Sequence, residues 1–155
     1  MYRVLLPVAD DPARARGQVE AVLELPQAAS EVFVDVLHVH DEAATADAEW
    51  AAGGFAESYE AEMDELRELQ RIPEAVETAI DRLEDAGLEY AVHEATGDPA
   101  ETILARADEY DSDAIVVGVR KRSPVGKVLF GSVAQAVILD SDRPVTVVPA
   151  ASEAA

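Results

Sequence analysis

The sequence predicts an α/β protein, a single-domain three-layer α/β/α sandwich built on a five-stranded parallel sheet. Five apolar runs of strand length alternate with stretches of helical period. Runs such as Val4-Leu5-Leu6 and Ala114-Ile115-Val116-Val117 are apolar at consecutive positions, as strands buried on both faces require. A chain of 155 residues fills one core and has no room for a second full domain. The expected domain is residues 1–150, with a disordered Ala-rich tail at 151–155. Strand–helix alternation then implies right-handed crossovers that cover both sheet faces.

Each element follows from local signals. Strand one is expected from Tyr2 to Val8, with Pro7 ending it. Asp10 or Asp11 can cap the next helix and Pro12 suits its first turn; Val19, Val22 and Leu23 form its apolar stripe, and Pro26 stops it near Leu25. Strand two should span Glu31–His40. The acidic, Ala-rich residues 41–54 lack a period and are expected as a flexible excursion, either a lid or a plain surface loop. A helical pattern covers 56–71, with Tyr59, Met63 and Leu66 on one stripe, suited to core packing or to a partner surface. Pro73 kinks that helix or starts another, which Gly87 ends in the left-handed conformation. Strand three follows at Leu88–Ala95. In Gly97-Asp98-Pro99-Ala100-Glu101, Asp98 is the predicted N-cap and Pro99 the first helical residue. Strand four ends toward Gly118, a helix is expected at Ser132–Leu139, and Val145–Val148 is strand five.

Composition excludes several functions. Thirty-two acidic residues against twelve basic give a formal net charge of −20, which repels a nucleic-acid backbone. The same carboxylate density keeps a protein soluble in concentrated salt, which implies a salt-loving source or else an acidic-partner function. No cysteine is present, so disulfides and thiolate chemistry are excluded. No run of eighteen apolar residues and no secretory signal occur, so the expected location is cytoplasmic, away from the membrane.

The basic residues cluster. Arg120, Lys121, Arg122 and Lys127 are four of the twelve, and they include both lysines. They lie in a loop that opens at Gly118, contains Gly126 and closes on Gly131-Ser132. Gly118 is expected to let the chain turn sharply at the strand end, and Gly126 to relieve the loop. Gly131-Ser132 opens a helix, where free N–H groups and a hydroxyl suit a phosphate. In a parallel sheet the loop after strand four is also well placed, because ligands sit beyond the carboxyl ends where strand order reverses. The loop is not a phosphate-binding P-loop: Val128 stands where that motif needs Ser or Thr. Nor is it the dinucleotide fingerprint, which should follow strand one.

On these residues the chain resembles the universal stress proteins. The likeness runs from Val4-Leu5-Leu6-Pro7-Val8 through Leu37-His38-Val39 and Gly97-Asp98-Pro99 to Arg143-Pro144-Val145-Thr146-Val147-Val148. Gly118 and Gly131-Ser132 match that family's nucleotide loop at the required distance. The resemblance implies an adenine nucleotide alpha-hydrolase-like, Rossmann-like fold. It further implies a stress-response protein that binds ATP or a related adenine nucleotide as a regulatory ligand, with at most slow hydrolysis. Pro7 and Val39 would line the adenine and ribose pocket, and Gly118 would lie near the ribose or first phosphate. Gly131, Ser132 and Val133 would face the phosphates with Arg122 and Lys127, and Mg²⁺ would travel with the nucleotide. A homodimer through Val145–Val148 is also implied. Two positions depart from the pattern: Lys121 replaces a glycine, and Ala9 stands where an aspartate contacts the adenosine, with Asp10 one residue late.

Other candidates are weaker. His38 and His40 share one strand face, with His40 expected to border the site, and His93 is the third histidine; packing and hydrogen bonding suffice for all three. Asp41 and Glu42 are either solvated or ordering water or Mg²⁺. Ser132 has no His–Asp relay beside it, so no catalytic residues and no protein metal site are expected. The competing function is a nucleotide-independent interaction protein whose basic loop meets an acidic partner.

Overall fold

The computed structural model describes residues 1–41, 73–119 and 131–150. The expected lid beyond Asp41, the helix at 56–71, Lys121, Arg122, Lys127 and the rest of the basic loop, and the tail at 151–155 all lie outside the described residues.

Five parallel strands form one sheet: β1 (Tyr2–Pro7), β2 (Val32–Asp41), β3 (Glu89–Gly97), β4 (Ala114–Val119) and β5 (Val145–Pro149). Their spatial order is β3-β2-β1-β4-β5. β1 is central, and Val4, Leu5 and Leu6 are fully buried because helices cover both faces. On one face α1 (Pro12–Leu23) and α3 (Glu74–Asp85) pack over Val4, Leu6, Val34 and Val36. On the other, α4 (Pro99–Glu109) and α5 (Ser132–Asp140) pack over Leu5, Leu37, Ile115 and Val117. The α/β class and the five-stranded parallel sheet are therefore as the sequence predicts.

Helix ends follow local chemistry. Asp11 caps α1, its Oδ1 accepting from Ala13 N at 3.0 Å, with Pro12 in the first turn. Asp98 caps α4, its Oδ2 accepting from Glu101 N at 3.0 Å. Pro73 is the N-cap of α3, so of its two expected roles it takes the helix start. Gly87 follows that helix at φ +75°, a conformation open to glycine.

Some boundaries differ from expectation. α1 ends at Leu23 rather than Leu25, because Gln27 adopts φ 54° and a short helix α2 (Ala28–Glu31) intervenes before β2. That turn has no glycine to announce it. β3 runs on to Gly97, two residues past the expected end, because β2 offers backbone partners as far as Asp41.

Strand order reverses at β1, which pairs with β2 on one side and β4 on the other. Six residues of β1 pair with β2, but only Val4 and Leu5 pair with β4. The two strands therefore part toward their carboxyl ends. Gln18 of α1 reaches into the gap, and its amide nitrogen donates to Pro7 O at 2.7 Å and Val116 O at 2.9 Å. Two carbonyls need two donors, which a side-chain amide nitrogen supplies. This buried glutamine ties α1 to both strands where they part.

Candidate functional site

At the carboxyl ends of β1 and β4 lies a cleft of about 390 Å³, within the range of small-molecule sites. Pro7 to Asp10 form one wall as the chain leaves β1. Leu37, His38 and Val39 of β2 form the next, and Gly118 and Val119 of β4 lie opposite. Pro99 and Ile103 of α4 and Gly131 to Ala134 at the start of α5 complete it, with Arg14 reaching in from α1.

Three helices thus begin at this cleft: α1, α4 and α5. Aspartates cap the first two. The third has Gly131 at its N-cap, with no side chain to accept from the first-turn amides. An uncapped helix start keeps free N–H donors and a partial positive charge, so this end can take an anion.

The two glycines at the cleft have different physical reasons. Gly118 was expected to turn the chain, but it sits inside β4 without a positive φ, and the strand continues to Val119. A Cβ there would lie 2.9 Å from Gln18 Oε1 and 3.2 Å from Arg14 Cβ. Gly118 is needed because α1 packs so close, which corrects the turn expectation. A Cβ on Gly131 would meet nothing within 4 Å, and its φ of −69° suits any residue. Among the described residues neither packing nor conformation explains that glycine.

His38, not His40, borders the cleft. Its Nδ1 lies 2.9 Å from Val8 O, and a carbonyl only accepts, so Nδ1 carries a proton. Its Nε2 is 4.0 Å from Asp10 Oδ1, which is too far for a hydrogen bond. His40, expected to border the cleft, is not among the lining residues; its ring packs edge-on against His38 at 4.7 Å. His93 lies on the opposite sheet face, with Nε2 2.9 Å from Asp35 Oδ1. Asp10 stands at the rim with its side chain 91% exposed.

Of the candidates named from sequence, Pro7, Val39, Gly118, Gly131, Ser132 and Val133 all line this one cleft. Arg122 and Lys127 lie outside the described residues. Sequence reasoning missed Gln18 and Arg14. Their signal was a spacing of four residues in the first turns of a helix beginning at the sheet's centre, which puts both on one helix face. Among the described residues no group of three or more His, Asp and Glu is placed to hold a metal ion.

Comparison with known proteins gives this geometry a family. A family model described as the universal stress protein family matches residues 1–149. The chain is 40% identical over 67 residues to a universal stress protein of Mycolicibacterium smegmatis, a match covering 43% of this chain and 52% of that one. It therefore spans about half the length of that curated relative. A solved universal stress protein from Archaeoglobus fulgidus has 28% identity and a TM-score of 0.65, covering 96% of this chain and 98% of its own. Another from Archaeoglobus fulgidus, in complex with dAMP, shares the fold at 23% identity and a TM-score of 0.62, covering 96% of this chain and 98% of its own. On the family match across nearly its whole length, the chain belongs to the universal stress protein family.

Proposed function

We propose that this protein binds an adenine nucleotide, ATP or a close relative, in the β1/β4 cleft as a regulatory ligand of the stress response. The observation that carries this reading is the uncapped start of α5. Gly131, Ser132 and Val133 line a cleft at the point where strand order reverses, and no side chain of the described residues caps their amides. The cleft volume suits a nucleotide, and its walls at Pro7, Leu37, Val39 and Ile103 are apolar, as a purine face requires. The dAMP complex of the Archaeoglobus fulgidus relative supports the same class of ligand.

In this reading Pro7 and Val39 hold the base, Gly118 lies by the ribose, and Gly131, Ser132 and Val133 hold phosphate. Arg122 and Lys127 add charge from the loop, and Mg²⁺ arrives with the nucleotide. Turnover in this reading is at most slow hydrolysis. The protein acts in the cytoplasm; no described helix is long and apolar enough to cross a membrane. The charge of −20 supports a halophilic archaeal source. β5 is an edge strand, and edge strands need cover, which supports a homodimer through Val145–Val148.

A second reading, a nucleotide-independent interaction protein, draws on two observations. Ala9 offers no carboxylate at the end of β1, and Val133 and Leu139 are exposed on α5. Calorimetric titration separates the two readings. Nucleotide-stripped protein in concentrated KCl with Mg²⁺ is titrated with ATP and AMP, beside a Lys121→Gln, Arg122→Gln, Lys127→Gln variant. Saturable one-to-one binding, weaker in the variant, is the expected result. No binding by folded protein up to millimolar nucleotide overturns the proposal and puts the interaction reading first.

A further inference from the structure

We propose that Arg14 is the anion-binding residue on the α1 side of the cleft. The ligand's negative charge is then held from two helices, α1 and α5, and the site prefers a nucleotide to its nucleoside. The inference rests on the adenine nucleotide reading and adds to it a residue outside the glycine loop.

Arg14 is the third residue of α1, and its placement is unfavourable for the helix alone. A cation in the first turn opposes the partial positive charge of the helix start, and α1 has no acidic residue in that turn to offset it. Its Nε is buried and has no hydrogen-bond partner among the described residues. Among the described residues its counter-charge is Asp11 Oδ2, a half-exposed i,i+3 ion pair at 3.6 Å. That is beyond hydrogen-bond distance, so it leaves the Nε proton without an acceptor. The other oxygen of that carboxylate is committed to capping Ala13 N. A buried donor without an acceptor is costly, so both features weigh against Arg14 being there for stability.

Both features are accounted for by an anion in the cleft that Arg14 lines. A guanidinium offers paired donors that match phosphate oxygens. Its base is held firmly: Gln18, one turn on, ties α1 to β1 and β4, and the Arg14 Cβ sits against Gly118. Preorganisation of this kind is what a binding group needs. The α5 start lines the same cleft, and no side chain of the described residues caps it. Asp10 lines the cleft with an exposed carboxylate, a source of repulsion that Arg14 offsets.

The test is calorimetric titration of pyrophosphate, AMP and adenosine into wild-type protein, Arg14→Gln and Arg14→Lys, with ligand-free thermal melts beside it. Arg14→Gln is expected to weaken AMP and pyrophosphate roughly tenfold and leave adenosine unchanged. Arg14→Lys recovers part of the loss. The ligand-free melting temperature of Arg14→Gln holds or rises, because a cation opposing the helix dipole has been removed. Unchanged AMP and pyrophosphate affinities overturn the inference, as does an equal loss for AMP and adenosine. A lowered melting temperature with unaltered binding would make Arg14 structural. Wild-type protein that binds pyrophosphate through Arg14 but neither AMP nor adenosine keeps this inference and sinks the nucleotide reading. Binding of none of the three sinks both.

Discussion

The amino and carboxyl halves of the sheet use their polar residues in opposite ways. In the amino half, buried Asp35 takes Arg3 through two oxygens, at 2.6 and 3.1 Å, and His93 Nε2 at 2.9 Å. His93 stacks on Tyr110 with ring centroids 4.4 Å apart. Arg3 N donates to Asp113, and Asp113 N donates back to Arg3 O, which fixes the starts of β1 and β4 together. Arg143 joins Ser112 O to Asp108. One atom there is left over, the buried Ser112 hydroxyl. At the carboxyl end, Arg14 Nε, His40 Nε2 and the α5 amides have no described side-chain partner. The difference teaches where polar groups are satisfied: at the amino ends they are paired and hold the fold, and at the carboxyl ends several have no partner among the described residues, which is where a proposed ligand would find them.

The largest effect that sharpens this contrast comes from Asp35→Ala. Removing a fully buried carboxylate strands the guanidinium of Arg3 and the ring of His93. Losing one partner of a buried pair costs about 3–5 kcal/mol, and Arg3 is 39% exposed, so about 2–3 kcal/mol is expected here. Urea unfolding measures it, and AMP affinity of the folded variant should be unchanged. The hydrogen bond to Asp35 also raises the Arg3 guanidinium above its ordinary value. A raised value in a cation means that its contribution is complete below the ordinary value and fades only as pH rises past the folded one. Arg3 therefore adds no slope to stability through neutral pH. A marked loss of nucleotide affinity in Asp35→Ala would break the division between halves.

Gly118→Ala comes next, and it probes the one place where the halves meet. The new methyl would sit 2.9 Å from Gln18 Oε1, so the glutamine that bridges Pro7 O and Val116 O must move. Overpacking of this kind costs about 1–3 kcal/mol. Both stability and binding should fall, because the clamp positions Pro7, and Pro7 and Gly118 both line the cleft. Unchanged unfolding in urea would show that Gly118 is kept for the ligand rather than for α1.

These two positions also show how much was legible in the sequence. Consecutive apolar residues at Val4-Leu5-Leu6 announced a central buried strand, and Asp98-Pro99 announced a helix start, because each signal is local. The helix start at Gly131-Ser132 was legible too, because a glycine and a serine before an apolar run are a local signal. The reason for Gly118 was not. A glycine at a strand end suggests a turn, and only the approach of Gln18 from residues far away in the chain reveals a packing constraint. Arg14 stayed hidden for a related reason: its role depends on what the tertiary fold leaves beside a side chain. Asp35 broke the apolar pattern of β2, and its partners Arg3 and His93 come from two other strands, so nothing nearby in sequence explained it.

Asp98→Ala carries the comparison to the rim of the cleft. Asp98 accepts from Glu101 N at the start of α4, beside Pro99 in the cleft wall. Loss of an N-cap costs about 1 kcal/mol. The variant should unfold at lower urea by that amount. It would also leave a second helix start uncapped at the same cleft, so affinity for AMP should hold or tighten while stability falls. Matching losses of both would place Asp98 with the structural residues of the amino half.

The smallest effect is expected where two charges meet in water. Arg82 of α3 donates to Glu20 of α1 at 3.0 Å, and the two side chains are 40% and 48% exposed. Exposed pairs contribute about 0–1 kcal/mol and weaken as salt shortens the Debye length. Arg82→Gln should therefore cost under about 0.5 kcal/mol in dilute buffer and nothing measurable in 2 M KCl. The loss from Asp35→Ala should persist at both salt concentrations, because its carboxylate is shielded from ions by the sheet and α4. A salt-insensitive Arg82→Gln loss would mean that the α1–α3 face is less exposed than its side chains suggest. Equal fading of both would erase the distinction between a polar group built into the fold and one merely lying on it.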